Sequence, residues 1–185
     1  MPIRPGTILL LLVMATAFHR TGLAGENKEQ TSLIAGSAYS PTSYGGDRNG
    51  AVFWSVAACV PMWSKWSASF SVAHGHYTDY PQGIGRVYFT PLAAGIRFSP
   101  LETALKPFIE VLGVAVPSSW GGASRLVEGS EIGAGLRGAK GKFGIEVSVR
   151  KLRTGGASMN NFDAAPSELP GLDQYLLGAA LVFCK

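Results

Sequence analysis

The sequence predicts an all-β fold, an eight-stranded antiparallel up-and-down transmembrane β-barrel, on three observations. In the stretch 143–153, Phe143, Ile145, Val147 and Val149 alternate with Gly144, Glu146, Ser148 and Arg150, so a pleat of period two makes one face apolar and the other ionic. In 174–183, Tyr175, Leu177, Ala179, Leu181 and Phe183 share one face, opposite Leu176, Gly178, Ala180 and Val182. Both runs have about the length that a tilted strand needs to cross a bilayer. The connections between such runs alternate long and short, as they do when one rim of a barrel carries turns and the other loops.

The N-terminus reads as a secretory signal over 1–24. Arg4 lies in a short basic region, an apolar run covers 8–18, and small residues precede two candidate cleavage points, after Ala24 (favoured, with Gly22) and after Ala17 (with Ala15). The barrel domain is then 25–185. The apolar run is too short to span, and no later stretch offers the roughly 20 continuous apolar residues of a transmembrane helix. Cleavage removes Arg4 and Arg20 and no acid, which lowers the formal charge from +4 to +2, too little to argue for nucleic acid.

The first strand, 33–40, sets Leu33, Ala35, Ser37 and Tyr39 against Ile34, Gly36, Ala38 and Ser40, and Pro41 ends it because proline cannot donate to a ladder. After a polar loop, 42–49, the second strand covers 50–60, and Pro61 with 62–65 makes a turn. The third carries the clearest alternation: Trp66, Ala68, Phe70 and Val72 against Ser67, Ser69, Ser71 and Ala73. A loop over 78–85 follows. The fourth strand, 86–98, contains Pro91, which predicts a bulge or bend. A compact turn, 99–106, leads to the fifth, 107–116, with Glu110 in mid-span, and a loop is expected over 117–128. The sixth, 129–137, sets Ile132, Ala134 and Leu136 against Glu131, Gly133, Gly135 and Arg137, and 138–142 turns into the seventh. The longest loop, 154–173, precedes the eighth.

An interior of this size is about filled by side chains. The small and charged set (Ser67, Ser69, Ser71, Gly133, Gly135, Glu110, Arg137, Glu146 and Arg150) therefore predicts a plugged polar lumen with an ion-pair network, because charges crossing a membrane need a polar interior and partners. A secreted soluble barrel that binds an apolar ligand would show the same alternation with its faces reversed. Glycines and serines among the inward candidates, and Trp63, Trp66, Tyr77, Tyr80, Tyr88 and Tyr175 near strand ends, favour the membrane, where aromatic girdles sit.

The segments Lys106-Pro107-Phe108-Ile109-Glu110 with Gly113 and Val114, Ile132-Gly133-Ala134-Gly135-Leu136, and Gly171-Leu172-Asp173-Gln174-Tyr175 resemble the second half of the lipid A 3-O-deacylase family. The resemblance implies an eight-stranded outer-membrane barrel that removes an ester-linked acyl chain from lipid A, using a serine nucleophile and a histidine base on the seventh strand and an acidic residue at the start of the eighth. The acidic position falls on Asp173. The other two fall within Val149-Arg150-Lys151-Leu152, which holds neither group, and arginine is a poor general base. The resemblance thus carries the fold and not the chemistry.

His74 and His76 share a strand face and could share a metal, but no third ligand accompanies them, so they read as interfacial polar residues and no metal or cofactor is expected. Arg150, Lys151 and Arg153 run toward the last loop, within reach of anionic lipopolysaccharide head groups. Cys59 and Cys184 fall on strands separated by the first strand, about 9–10 Å apart, beyond an unstrained disulfide. The expected role is a non-enzymatic, structural or lipid- and ligand-contacting one in the outer membrane of a Gram-negative-type envelope. Its partners would be outer-membrane lipids and the barrel-assembly machinery.

Overall fold

The structure, a computed structural model, describes residues 31–41, 50–80, 85–101, 103–120, 123–155, 157–158, 168–169 and 172–184. The expected signal segment lies outside them. The strands are β1 Ser32–Ser40, β2 Ala51–Trp63, β3 Trp66–Tyr80, β4 Gly85–Phe89, β5 Leu92–Phe98, β6 Leu105–Trp120, β7 Ala123–Lys140, β8 Phe143–Thr154, the short pair β9 Ala157–Ser158 and β10 Glu168–Leu169, and β11 Asp173–Cys184. Every pairing is antiparallel, and β1 pairs with both β2 and β11, which closes the sheet.

β4 and β5 are one barrel strand broken at Thr90-Pro91, so eight staves make the wall. The break sits where the sequence placed a bend. Pro91 has no N–H to give, yet its carbonyl accepts from Ala73 N–H at 2.9 Å, while Thr90 N–H donates to the Pro117 carbonyl at 3.0 Å, so the sheet stays tied across the gap.

The register fixes the barrel's shape. Val72 pairs with Val56, then Ala35, Leu181, Ile145 and Gly138 follow in one direction, and Leu92, Ala115 and Glu128 in the other. The circuit meets β7 at Gly138 and at Glu128, a shear of ten residues. Eight staves with that shear, at about 3.3 Å rise and about 4.8 Å spacing, tilt by about 40° and enclose a barrel of about 8 Å radius. Side chains fill such an interior.

Alternation then sorts the residues. Leu33, Val56, Val72, Ile96, Val111, Leu136, Val147 and Leu181 are exposed on the outside, whereas Arg97, Glu110 and Glu146 are 3%, 1% and 2% exposed on the inside. This is the inverse of a soluble ligand-binding barrel and the arrangement of a membrane-spanning one. Trp63, Phe143 and Phe183 lie outside near the short-turn rim, and Tyr39, Trp54, Tyr88 and Tyr175 lie outside toward the loop rim.

Several expectations need correction. The loop expected over 117–128 is strand: β6 and β7 pair as far as Trp120 and Ala123, with two residues between, because the alternation of Val114, Val116 and Ser118 runs on past Pro117. Pro61 lies within β2 at a register shift rather than in the turn, which is Ser64-Lys65, with Ser64 at φ 45°. The β7–β8 turn contains Gly141 at φ 63°, a conformation that glycine adopts without a side-chain clash. Tyr77 points inward and is 3% exposed, so it belongs to no girdle. Nor is the lumen polar throughout. Its loop-side half is apolar, built from Phe53, Val87, Phe89, Leu112, Val116 and Leu152.

Candidate functional site

The turn-side half of the lumen holds six charged groups, three arginines and three glutamates: Arg97 on β5, Glu110 on β6, Glu131 and Arg137 on β7, and Glu146 and Arg150 on β8. Strand parity alone brings them together. Arg97 shares a face with Ala93 and Gly95, and Glu146 and Arg150 lie on the same side of β8.

Arg97 is the hub. Its Nε and Nη2 donate to Glu110 Oε2 at 3.1 and 2.8 Å, and its Nη1 donates to Glu146 Oε2 at 2.7 Å. The guanidinium carbon stands 3.9 Å from the Phe108 ring centroid, a cation–π contact that covers a third side. Arg137 Nε and Nη2 donate to Glu146 Oε2 at 3.0 and 2.7 Å, and Arg137 also reaches Ser32 Oγ at 3.2 Å and Cys59 Sγ at 3.6 Å. Arg150 Nε lies 3.0 Å from Glu110 Oε1 and 3.7 Å from Glu131 Oε1, close enough for ion pairing but not aligned for a hydrogen bond. Ser69 Oγ donates to Glu110 Oε2 at 3.5 Å.

Glycines make the space. A Cβ on Gly133 would stand 3.0 Å from Cγ of both Arg150 and Glu110, and one on Gly135 would stand 2.6 Å from Phe108 Cζ. The six charges cancel formally, and a buried cluster of this kind is tolerated only when each charge has partners. Its six groups are engaged with one another. Chemically it is a plug.

Above it, the apolar half is interrupted by one polar trio. The Tyr77 hydroxyl lies within hydrogen-bond reach of Ser40 Oγ at 3.0 Å and of Gln174 Oε1, and Ser40 Oγ donates to Gln174 Oε1 at 3.2 Å. A cavity at the loop-side mouth, between Phe89, Val116 and Leu172, measures about 10 Å³, room for about one water.

Asp173 is elsewhere. It lies on the outside at the loop rim, with Lys151 Nζ 3.2 Å away and Arg153 as its register partner. The positions to which the deacylase resemblance assigns serine and histidine are split between faces: Val149 and Lys151 outward, Arg150 into the ionic cluster, and Leu152 into the apolar half at 0% exposure. Thr154 Oγ1, a hydroxyl on that rim, accepts from Leu172 N–H at 2.9 Å. The chain has three histidines, His19, His74 and His76, and β1 and β2 stand between β11 and the β3 stave that carries the last two. Asp173 therefore has no imidazole to orient among the described residues.

His74 and His76 face outward toward the loop rim. His74 Nδ1 is 3.0 Å from Thr90 Oγ1, and the two rings lie 6.1 and 5.5 Å from Tyr88. Among the described residues no three His, Cys, Asp or Glu side chains gather as a metal site would need. Cys59 and Cys184 are free thiols on either side of Ser32, which is the register partner of both.

Sequence reasoning passed over Arg97, the hub. The signal was present: in Leu92-Ala-Ala-Gly-Ile-Arg-Phe98, the parity that puts Ile96 outside puts Arg97 inside.

No family model matches the chain, and no curated protein matches it in sequence. Solved structures do match in fold. Neisserial surface protein A aligns with a TM-score of 0.63 at 11% identity, over 84% of this chain and 97% of its own. The N-terminal β-barrel domain of Pseudomonas aeruginosa OprF aligns at 0.50 and 13%, over 84% and 97%. The outer membrane protein AlkL, solved in lipid bilayers, aligns at 0.51 and 13%, over 88% and 93%. These likenesses agree with the eight-stranded barrel. A lipid A deacylase-like membership is not among what they show.

Proposed function

We propose that the chain is a non-enzymatic outer-membrane barrel of a Gram-negative-type envelope, anchored by its wall and working through its loop rim on lipid and envelope ligands. The observation that supports this reading is the lumen: a charge-balanced plug lies under an apolar half, and among the described residues no serine–histidine pair lines it. The apolar exterior between aromatic belts supports the membrane setting, and the likeness to a Neisserial surface protein and to the outer membrane protein AlkL supports the outer membrane in particular. In this reading a Sec-type signal exports the chain, assembly machinery inserts it, and the short-turn rim faces the periplasm. Lys151 and Arg153, exposed at the loop rim with Tyr175 beneath Lys151 at 5.2 Å, meet anionic lipopolysaccharide.

The rival chemistry is lipid A deacylation with Asp173 as its acidic residue. Mass spectrometry of lipid A from cells that express the chain separates the two, with insertion read by heat-modifiable gel mobility. Unchanged lipid A alongside a heat-shifting band is expected. Loss of one acyl chain that Asp173→Ala abolishes would overturn the non-enzymatic reading.

A further inference from the structure

The outer wall is not evenly covered. Across β11, β1 and β2, the outward positions Ala179, Ser37 and Ala35 are small, and they floor a groove of about 720 Å³ that is walled by Trp54 on one side and Leu181 on the other. The groove follows the cross-strand rows. One row runs Ala179, Ser37, Trp54, His74, and the row below it runs Ile145, Leu181, Ala35, Val56, Val72. Four strand spacings make it about 19 Å long, and the strand tilt makes it descend about 12 Å from the His74 end to the Ile145 end. One leaflet of hydrocarbon is about 15 Å deep. The groove therefore fits within a single leaflet, as one acyl chain does.

The high end is chemically different from the rest. There the wall bears His74, His76, Tyr88 and Arg86, with Arg86 Nη1 3.4 Å from Tyr88 Oη and His74 held by Thr90. Arg86 and Tyr88 are exposed on the outside, two positions apart on β4, and His76 is the register partner of Tyr88. A guanidinium beside two imidazoles and a phenol presents several donors to an anion, and the guanidinium fork suits phosphate.

We infer that this wall is a lipid-binding site, with one acyl chain in the groove and the lipid's phosphate against Arg86 and the two histidines. The inference rests on the outer-membrane reading, in which the loop-side leaflet is the outer one and its phosphate-bearing lipid is lipid A. The site is distinct from the Lys151 and Arg153 rim. Hydrocarbon in the groove replaces contacts that the small floor residues do not make, and the phosphate gives the guanidinium fork an anionic acceptor.

The test is native mass spectrometry of the full mature barrel in detergent, incubated with diphosphoryl lipid A or with the same lipid after phosphate removal. Heat-modifiable mobility reads folding in every sample. One diphosphoryl lipid A retained per barrel is expected, with at least fivefold less of the dephosphorylated form. Arg86→Ala, which removes the anion fork, and Ser37→Leu, which fills the groove floor, each lower retention at least fivefold in a normally heat-shifting band, and Lys140→Ala, at the turn-side end of β7, does not. Retention that ignores the phosphate, retention unchanged in both Arg86→Ala and Ser37→Leu, or a dimer mass in place of a lipid adduct would overturn the site. A heat-shifting barrel that retains no lipid refutes the site alone, whereas a chain that fails to fractionate with the outer membrane refutes the reading beneath it.

Discussion

Replacing Arg97 with methionine removes the hub of the lumen and leaves its carboxylates in place. Glu110 loses contacts at 2.8 and 3.1 Å and keeps Arg150 at 3.0 Å; Glu146 loses contacts at 2.7 and 3.2 Å and keeps Arg137 at 2.7 Å. The cluster then carries one net negative charge in a space that water barely reaches. Breaking a buried pair by removing one partner costs about 3–5 kcal/mol. The surviving arginines offset part of this, but the cation–π contact with Phe108 is lost as well, so about 3–5 kcal/mol remains the expectation. Arg137→Met is the comparison. Its side chain is 14% exposed at the turn rim, and Glu146 retains Arg97, so about 1–2 kcal/mol is expected. Guanidinium unfolding from lipid vesicles, followed by tryptophan fluorescence, reads both. With a slope of about 4 kcal/mol per molar, Arg97→Met lowers the midpoint by about 1 M, and Arg137→Met lowers it by less than half of that. Adding Glu110→Gln to Arg97→Met restores charge balance and recovers part of the loss. Equal midpoints for the two arginine variants, or an Arg97→Met midpoint within about 0.2 M of wild type, would refute the hub.

Other expectations follow from the same geometry. Gly135→Ala brings a Cβ to 2.3 Å from the Val147 carbonyl and 2.6 Å from Phe108, so it should cost at least about 1–3 kcal/mol and weaken the heat-shifted band. Val147→Lys places a charge on the lipid face near the middle of β8 and should cost about 2–4 kcal/mol, while Phe143→Lys at the turn rim costs about 0–1 kcal/mol; similar losses would contradict the tilt and span derived from the register. Alkylation of unfolded, unreduced protein should add two labels, one each at Cys59 and Cys184, and a single label or none would show that the thiols had been consumed.

The sequence made the wall legible because lipid and plug demand opposite residues, and where they do the alternation is sharp. Glu146 and Arg150 between Ile145, Val147 and Val149 could be assigned a side at once. The loop-side half was harder. Phe53 and Leu112 point inward between outward residues that are also apolar, so there the two faces do not contrast, and at Leu152 the polar face is the outer one, with Lys151 and Arg153 on either side. Arg97 was overlooked because one charge at the end of Leu92-Ala-Ala-Gly looks like a boundary residue until its neighbours across the barrel are known. The β6–β7 ribbon runs through the loop expected over 117–128, past Pro117. A proline stops a ladder only where its missing N–H was needed, and here its carbonyl still accepts from Thr90. At Asp173 the sequence was informative in the opposite sense: the acid matched a pattern, and its partners did not.

The central claim is that the apolar face of the wall meets lipid and the charged face closes on itself. Spin labels placed one at a time at positions 144–150 of β8, in a chain whose two cysteines are replaced by serine, measure this directly in vesicles through accessibility to oxygen. High oxygen accessibility is expected at Ile145, Val147 and Val149 and low accessibility at Gly144, Glu146, Ser148 and Arg150, a strict period of two. The opposite phase, or no periodicity, would contradict it.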